Sequence, residues 1–596
     1  MRLRTKIAWS AFILTGLLSG LGLIVLFSLP FDTTKPFMDQ LARDGHADQF
    51  SVSFVSQWAL WLKAAGALML AFVAIFLVFR RRSTGWTTVL LDWIEHIIRR
   101  LVADGRSLIN GFQIDWAWGA GIGLIMAAAG ISTLRFLNRP MGHDEAYTFM
   151  TFARQPLRVA LSDYSLPNNH LFHTFWLYLA YHLFGSAPWV VRLPTFSAGI
   201  LLIPAIYGLG SRFYSKPVGL IAAALVAASS EVLLYETTAR GYTLLALITI
   251  VFFLLSWIVK KQRNLAAWTL WGLAAALGFY TVPVFLYPFG AIVAWLFLSM
   301  VFGDFTGYPA RVDFLRYLVI SGTLAGVLIF FLYLPVFLHH QSFKVVFGNQ
   351  FIESMAWDDF QVTAPIRLSE TWSEWTSGFT PWVLDALISG FFLSILLHWK
   401  ISKPRIPPQL AAAAWLIPLV LIQRVQLWTK TWFFLHPLIL LWCAAGLVGL
   451  AQLIFQRIRN RRWLHLALLA GGLAVIFYGG WLVRQNENKH ASSPGMEEQF
   501  VRYIQEHLQD GDIIVSNWIS EPAISYYLLR YQIPVQKMFV KALPFKQAYV
   551  IVNQEINKNI QDVLHDRELD EGLFKIDQAL EVQHRGNSTM YLVPVY

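Results

Sequence analysis

Cysteine is all but missing from this 596-residue chain: Cys443, inside an apolar run, is the only one. That excludes disulfides within one chain and cysteine-based metal sites. Charge is scarce too, at 14% of residues against 56% hydrophobic, and the mean hydropathy is +0.50. A soluble protein of this length cannot hide that much apolar surface, so the composition asks for many membrane crossings. No sustained repeat or low-complexity segment is evident, which leaves repeat architectures aside. The net charge of +11 does not point to nucleic acid, because the basic residues cluster in short loops between apolar runs.

Apolar runs are what the chain has in abundance. About 13 are long enough to cross some 30 Å of hydrocarbon as helices. They lie near 7–30, 57–79, 116–135, 187–210, 217–235, 241–260, 265–281, 283–302, 317–338, 382–398, 409–423, 432–454 and 463–483. "MRLRTK" followed by the first run, with no small-residue cleavage site, reads as an uncleaved signal anchor. "RRRS" (80–83), "SRFYSK" (211–216), "KKQR" (260–263), "KISKPR" (400–405) and "RIRNRR" (457–462) fall in every second gap. Only 303–316 is weak, with Arg311 and Arg316 balanced by Asp304 and Asp313. Those gaps and the N-terminus are therefore expected in the cytoplasm of a cell with this protein in its plasma membrane. Segments 31–56, 136–186 and 339–381 and the tail are expected outside it.

Three units follow. Residues 1–115 hold two spans and an amphipathic stretch, 84–104, in which Leu90, Ile94, Ile97 and Leu101 share a face suited to the membrane surface. Residues 116–483 are a transmembrane unit with the large outer loop 136–186. Residues 484–596 read as a small extracytoplasmic α/β domain, with a helix and strand in "GMEEQFVRYIQEHLQDGDIIVS" and strands in "KQAYVIVN" and "STMYLVPV".

Polar islands sit at the outer ends of the runs. "RPMGHDEAYTF" (139–149) places Asp144 and Glu145 side by side just after the third run. Asp144 can cap a helix. It can equally be a general base at the membrane–water boundary, taking a proton from an incoming hydroxyl. In the same loop, Asn169, His170 and His173 can bind sugar hydroxyls or a phosphate, or anchor an interfacial helix. His170 and His173 with Asp144 or Glu145 also form a possible divalent-metal set. "YETTARGYTL" (235–244) brings Tyr235, Glu236, Arg240 and Tyr242. Glu236 and Arg240, four apart, suit a helix-surface ion pair. Arg240 also suits a phosphate clamp. "TKTWFFLHP" (429–437) adds Lys430 and His436.

"HDEAYT", "PNNHLFHTF", "RLPTFSAGILLIPAIYGLGSRFY" (192–214) and "TTARGYTLL" together resemble the family 39-type bacterial glycosyltransferases of the GT-C fold. These include protein mannosyltransferase-like and lipid A aminoarabinose transferase-like enzymes. The resemblance spans roughly 116–480 and implies a polyprenyl-phosphate-sugar donor, membrane lipid around it, and an extracytoplasmic glycan, lipid or protein acceptor. It implies Asp144 as catalytic base and Glu145 as the second acid of the pair. Arg240 and Lys430 would then hold the donor phosphate as it leaves. The family's "QEAR" appears here as Thr237, Thr238, Ala239 and Arg240, so its Gln and Glu are missing, with Glu236 close by. The competing reading is a lipid or solute transporter or flippase. A transporter wants ionisable groups near the membrane midplane. Here they are nearly absent from the middle of the runs, although Asp385 lies just inside one.

Overall fold

The computed structural model describes residues 3–41, 52–111, 115–340, 342–348, 353–377, 379–426, 428–455, several positions between 467 and 480, 495–538, 545–554, 556 and 559–596. In hydrocarbon every backbone N–H and C=O must pair within its own segment, so the apolar runs become helices. Among the described residues eight are long and apolar enough to cross a membrane: Leu3–Leu26, Trp58–Val78, Trp116–Leu134, Pro188–Phe213, Tyr242–Lys261, Pro283–Val301, Arg311–His340 and Thr429–Ile454. Two bent pairs would bring the number to ten, and Leu265–Thr281 and Pro408–Gln423 are apolar but shorter. The chain is a multi-span helical membrane protein. The basic stretch 457–462 lies outside the described residues, as does most of 463–483 and the start of the tail, 484–494.

The run expected at 217–235 is not one straight helix. Lys216–Ala228 and Ser230–Glu236 meet at 64°. Ser229 makes the break, because its hydroxyl accepts the Val232 N–H at 3.2 Å and so caps a second helix. Part of what reads from sequence as the loop 339–381 is a helix, Trp357–Thr376. The amphipathic segment extends beyond 84–104, over Arg80–Gly111. It packs against Leu3–Leu26 and Leu265–Thr281. Asp104 fastens it there by accepting the Leu265 N–H at 2.6 Å.

Tyr242–Lys261 is the axis of the bundle. Its Leu245, Ile250, Phe252 and Val259 are buried against Pro188–Phe213 and Leu265–Thr281. Small residues allow one very close helix crossing. Pro381–Leu396 meets His436–Phe455 at Gly390 and Gly446, where a Cβ on Gly446 would stand 1.8 Å from the Gly390 oxygen.

From residue 495 the chain changes character. Four strands, β1 (Asp512–Ser516), β2 (Gln547–Asn553), β3 (Leu580–Arg585) and β4 (Ser588–Pro594), form one sheet in the order β1-β2-β4-β3. β1 and β2 are parallel, and the other pairs are antiparallel. Alternation of side chains divides the sheet into two faces. Ile513, Val515, Val550 and Val593 pack with the helix Ile560–Asp566. Ile514, Tyr549, Ile551 and Met590 pack with Met496–His507 and Glu521–Arg530. The second layer does not stop at the domain edge, for it includes Met141, Ala146, Phe149 and Ala153 of the 136–186 loop. Two tyrosines seal the joint: Tyr527 Oη accepts the Met141 N–H at 2.9 Å, and Tyr526 Oη donates to the Ser186 oxygen at 2.6 Å.

Candidate active site

The loop after Trp116–Leu134 folds into a short helix, His143–Tyr147, that runs on as a π-helical turn, Thr148–Ala153. Gly142, with extended backbone, is its N-cap, so Asp144 does not cap the helix as its position after Gly142 suggests. Consecutive helical residues point about 100° apart. The two carboxylates therefore meet different surroundings.

Glu145 turns inward and is buried. Arg192 grips it with Nε on Oε1 at 2.9 Å and Nη2 on Oε2 at 2.7 Å. The Ala239 N–H donates to Oε1 at 2.7 Å and the Gly142 N–H to Oε2 at 3.1 Å. The other N–H groups of Arg192 donate to the carbonyls of Leu137, Arg139 and Pro140 at 2.9, 2.6 and 2.8 Å. All five guanidinium donors are thus used. Burial alone would push the Glu145 carboxyl up, but the Arg192 charge and these hydrogen bonds outweigh it and hold it at about 2. Glu145 is an anchor that ties the loop to the helix Pro188–Phe213 and to the turn before Tyr242–Lys261, not a group free to take a proton.

Asp144 faces a half-open cleft, with its side chain 45% exposed. Arg240 Nη2 stands 3.8 Å and Lys430 Nζ 3.6 Å from its Oδ2. Burial raises this carboxyl, yet the charges of Arg240 and Lys430 more than offset it, leaving Asp144 below the usual aspartate range. Three segments far apart in sequence thus converge on one point. Arg240 is buried and held for its task. Its Nη1 donates to Asn168 Oδ1 and lies 3.3 Å from Thr148 Oγ1, and its guanidinium sits 5.8 Å from the Tyr242 ring. The segment just before Lys430 is held by Trp357–Thr376: the Arg367 guanidinium lies 3.9 Å over the Trp428 ring, and Thr371 Oγ1 lies 3.3 Å from Thr429 Oγ1.

The other expected residues divide. The helix-face pair between Glu236 and Arg240 is not made. The helix ends at Glu236, whose Oε1 accepts from Thr133 Oγ1 at 2.5 Å. Gly199 leaves the room, since a Cβ there would meet Glu236 Oε2 at 2.1 Å. Asn169 is structural: its amide donates to the Ala160 and Asp163 carbonyls at 2.9 and 2.7 Å, and its neighbour Asn168 is the one on Arg240. His170 Nδ1 accepts the Gly241 N–H at 2.8 Å, and its ring meets Tyr242 edge-on at 4.9 Å. His173 is fully buried, and neither ring nitrogen has a partner among the described residues. Burial, with Arg240 nearby, pushes His170 far below its ordinary value and His173 to about 3, so both are neutral at pH 7. Tyr235 packs on Phe433 with the rings tilted by 32° and their centres 4.2 Å apart. His436 pairs with Ser229 Oγ at 2.9 Å, at the helix break, and is not among the groups on Asp144.

The metal set drawn from Glu145, His170 and His173 does not assemble. Glu145 is committed to Arg192, and among the described residues the one group of three ligating side chains close enough to share an ion is Asp163, His339 and His340. Arg192, Asn168 and Thr148 are the site residues that sequence reasoning missed. Arg192 stood in a quoted motif, but its partner is 47 residues away and no local spacing reveals it.

The fold defines a class. Apo ArnT from Cupriavidus metallidurans is similar over 80% of this chain and 98% of its own, at 13% identity and a TM-score of 0.51. ArnT from the same organism bound to undecaprenyl phosphate gives 14% identity, 79% and 97% coverage and a TM-score of 0.49. The archaeal oligosaccharyltransferase AglB from Archaeoglobus fulgidus, with an inhibitory peptide and a dolichol-phosphate, gives 12%, 74% and 70%, and 0.46. The chain has the GT-C fold with a small C-terminal sheet domain. The family described as dolichyl-phosphate-mannose-protein mannosyltransferase matches residues 169–308, a stretch that begins beside Asn168 and includes Arg192 and Arg240. No curated protein matches the chain.

Proposed function

We propose that this protein is a membrane glycosyltransferase that moves a sugar from a polyprenyl-phosphate donor to a hydroxyl on an extracytoplasmic acceptor. The observation that carries this reading is the carboxylate of Asp144 set between Arg240 and Lys430 at 3.8 and 3.6 Å. The GT-C fold and the mannosyltransferase match, whose description includes a dolichyl-phosphate sugar, support it.

The donor phosphate lies between the two cations, with Arg240 offering a planar fork and Lys430 a point charge. Asp144 takes the proton of the acceptor hydroxyl. That oxygen bonds to the anomeric carbon as the bond from this carbon to the phosphate oxygen breaks, and the electron pair leaves with polyprenyl phosphate. One displacement inverts the anomeric centre. Arg240 and Lys430 neutralise the charge that grows on the phosphate. The same two cations hold Asp144 low while the cleft lacks an anion. A bound phosphate takes up their charge and repels the carboxylate, so Asp144 gains basicity once the donor is in place.

The cleft and the tail domain face away from the cytoplasm in this reading, supported by the alternation of basic loops. Asp510→Cys, at an exposed position, then reacts with a membrane-impermeant maleimide in intact cells. Reaction only after lysis would overturn the orientation. For the chemistry, purified protein is incubated with radiolabelled polyprenyl-phosphate sugars and scored for glycosylated acceptor and released polyprenyl phosphate. Absence of both across donors and acceptors would overturn the function.

A further inference from the structure

The chemistry above leaves the acceptor unassigned, and one loop of the tail domain, residues 517–520 between β1 and Glu521–Arg530, borders the cleft without a role in it. This loop touches the helix that carries Asp144. His143, the residue before Asp144, has its Nδ1 2.7 Å from the Ile519 oxygen, and its ring meets the Trp518 indole edge-on at 5.9 Å. Trp518 is nevertheless 59% exposed. Its exposure is not looseness, because the loop is pinned on both sides. Buried Asn517 accepts the Ser520 N–H at 2.8 Å, and Arg567 Nε donates to the Ser516 oxygen at 2.5 Å. The loop also lies at the carboxyl end of β1, beside parallel β2, the edge where α/β sheets collect ligands.

We propose that Trp518 is an acceptor subsite, on which a pyranose ring of a glycan-bearing acceptor stacks so that a hydroxyl of that acceptor reaches Asp144. One face of a pyranose presents a row of weakly positive C–H groups, and the face of an indole is negative. A rigid, exposed indole is therefore a platform for a sugar ring. It offers little to a bare peptide hydroxyl, which has no ring face to stack. The His143 ring stands perpendicular to the indole, which keeps more than half of its surface exposed. The proposal rests on Asp144 being the base, and it narrows the acceptor from any hydroxyl to one carried by a glycan.

The test uses the full chain in nanodiscs. Trp518→Ala is compared with Trp518→Tyr, and with Trp399→Ala, an exposed tryptophan remote in sequence from the cleft, as control. With glycan acceptors, Trp518→Ala should raise the acceptor KM about tenfold or more, as expected for one lost stacked ring. Trp518→Tyr should recover most of it, and Trp399→Ala should match wild type. An unchanged acceptor KM in Trp518→Ala overturns the proposal, as does equal use of sugar-free peptide or lipid acceptors. A second measurement does not need turnover: saturation-transfer NMR with a free oligosaccharide should show contact in wild type and Trp518→Tyr and lose it in Trp518→Ala. If wild type binds the oligosaccharide through Trp518 yet transfers from no polyprenyl-phosphate sugar, the donor chemistry falls while the subsite stands. If it transfers but shows no Trp518-dependent contact, the subsite falls alone.

Discussion

Asp144 and Glu145 are neighbours on one turn of helix and carry the same functional group. Glu145 is buried, two N–H groups of Arg192 and two backbone amides complete its shell, and the other three Arg192 N–H groups are spent on carbonyls of the same loop. Around Asp144 there is a half-open cleft, and its two cations stand at 3.6 and 3.8 Å, beyond a tight hydrogen bond. A buried pair with every lone pair satisfied is rigid and costly to break, whereas a loosely paired carboxylate can exchange its partners. In the proposed reading the difference separates the roles: one acid holds the loop, and the other is left able to exchange protons.

Swapping each acid for its amide separates those roles most sharply. Asp144→Asn should lower transfer by about 10² to 10⁴-fold, the range for losing a general base, with little change in the melting temperature in detergent. Glu145→Gln should do the reverse. It leaves Arg192 buried without its counter-charge, a loss of about 3–5 kcal/mol that a thermal melt reads directly. The double variant Glu145→Gln with Arg192→Met should regain part of it. If Glu145→Gln melts like wild type but is inactive, while Asp144→Asn still turns over, the comparison is inverted.

The clamp also has a pH signature. The Glu145 carboxyl is held at about 2 from an ordinary 4.5, so its contribution to stability is present above 4.5 and is lost as the pH falls toward 2. Glu145→Gln should lack that stretch of the acid melt curve.

Smaller effects probe the cations. Arg240→Lys keeps the charge and loses the fork, so the donor KM should rise about tenfold, more than kcat falls. Equal donor KM in the Lys and Ala variants and wild type would remove Arg240 from the site. Least of all, Lys430→Met should shift the acid limb of kcat/KM upward, because one of the two charges depressing Asp144 has gone. An unmoved limb would mean that Asp144 is not the group titrating there.

Much of the architecture could be read from hydropathy, since helices and their loops follow from apolar length and charged gaps. The break at Ser229 could not, because it depends on one hydroxyl choosing the Val232 N–H inside an otherwise apolar run. β3 was hidden for a different reason: it is a largely exposed edge strand, "LEVQHR", whose apolar alternation is only Leu580 and Val582 before polar residues take over. Within the site, Asp144, Arg240 and Lys430 were legible because each belongs to a small polar island at the end of an apolar run. Their partners were not. Asn168 rather than its twin Asn169 faces Arg240, and the sequence treats the two alike.

The apolar core shared by the 136–186 loop and the tail has a consequence for how the protein is made. Met141 and Tyr527 are joined across 386 residues, and Phe149 packs with Ile524 and Tyr526. Chains are synthesised from the N-terminus at about 5–20 residues per second, so the half of this core that carries Asp144 exists for tens of seconds before the other half emerges. During that interval the loop lacks its supporting layer, and its apolar face needs shelter from the membrane or a chaperone. Assembly of this core therefore waits for the segment that carries Phe500, Ile524, Tyr526 and Tyr527, and a ribosome that stops short of it leaves a membrane-inserted bundle whose Asp144 loop lacks its supporting layer.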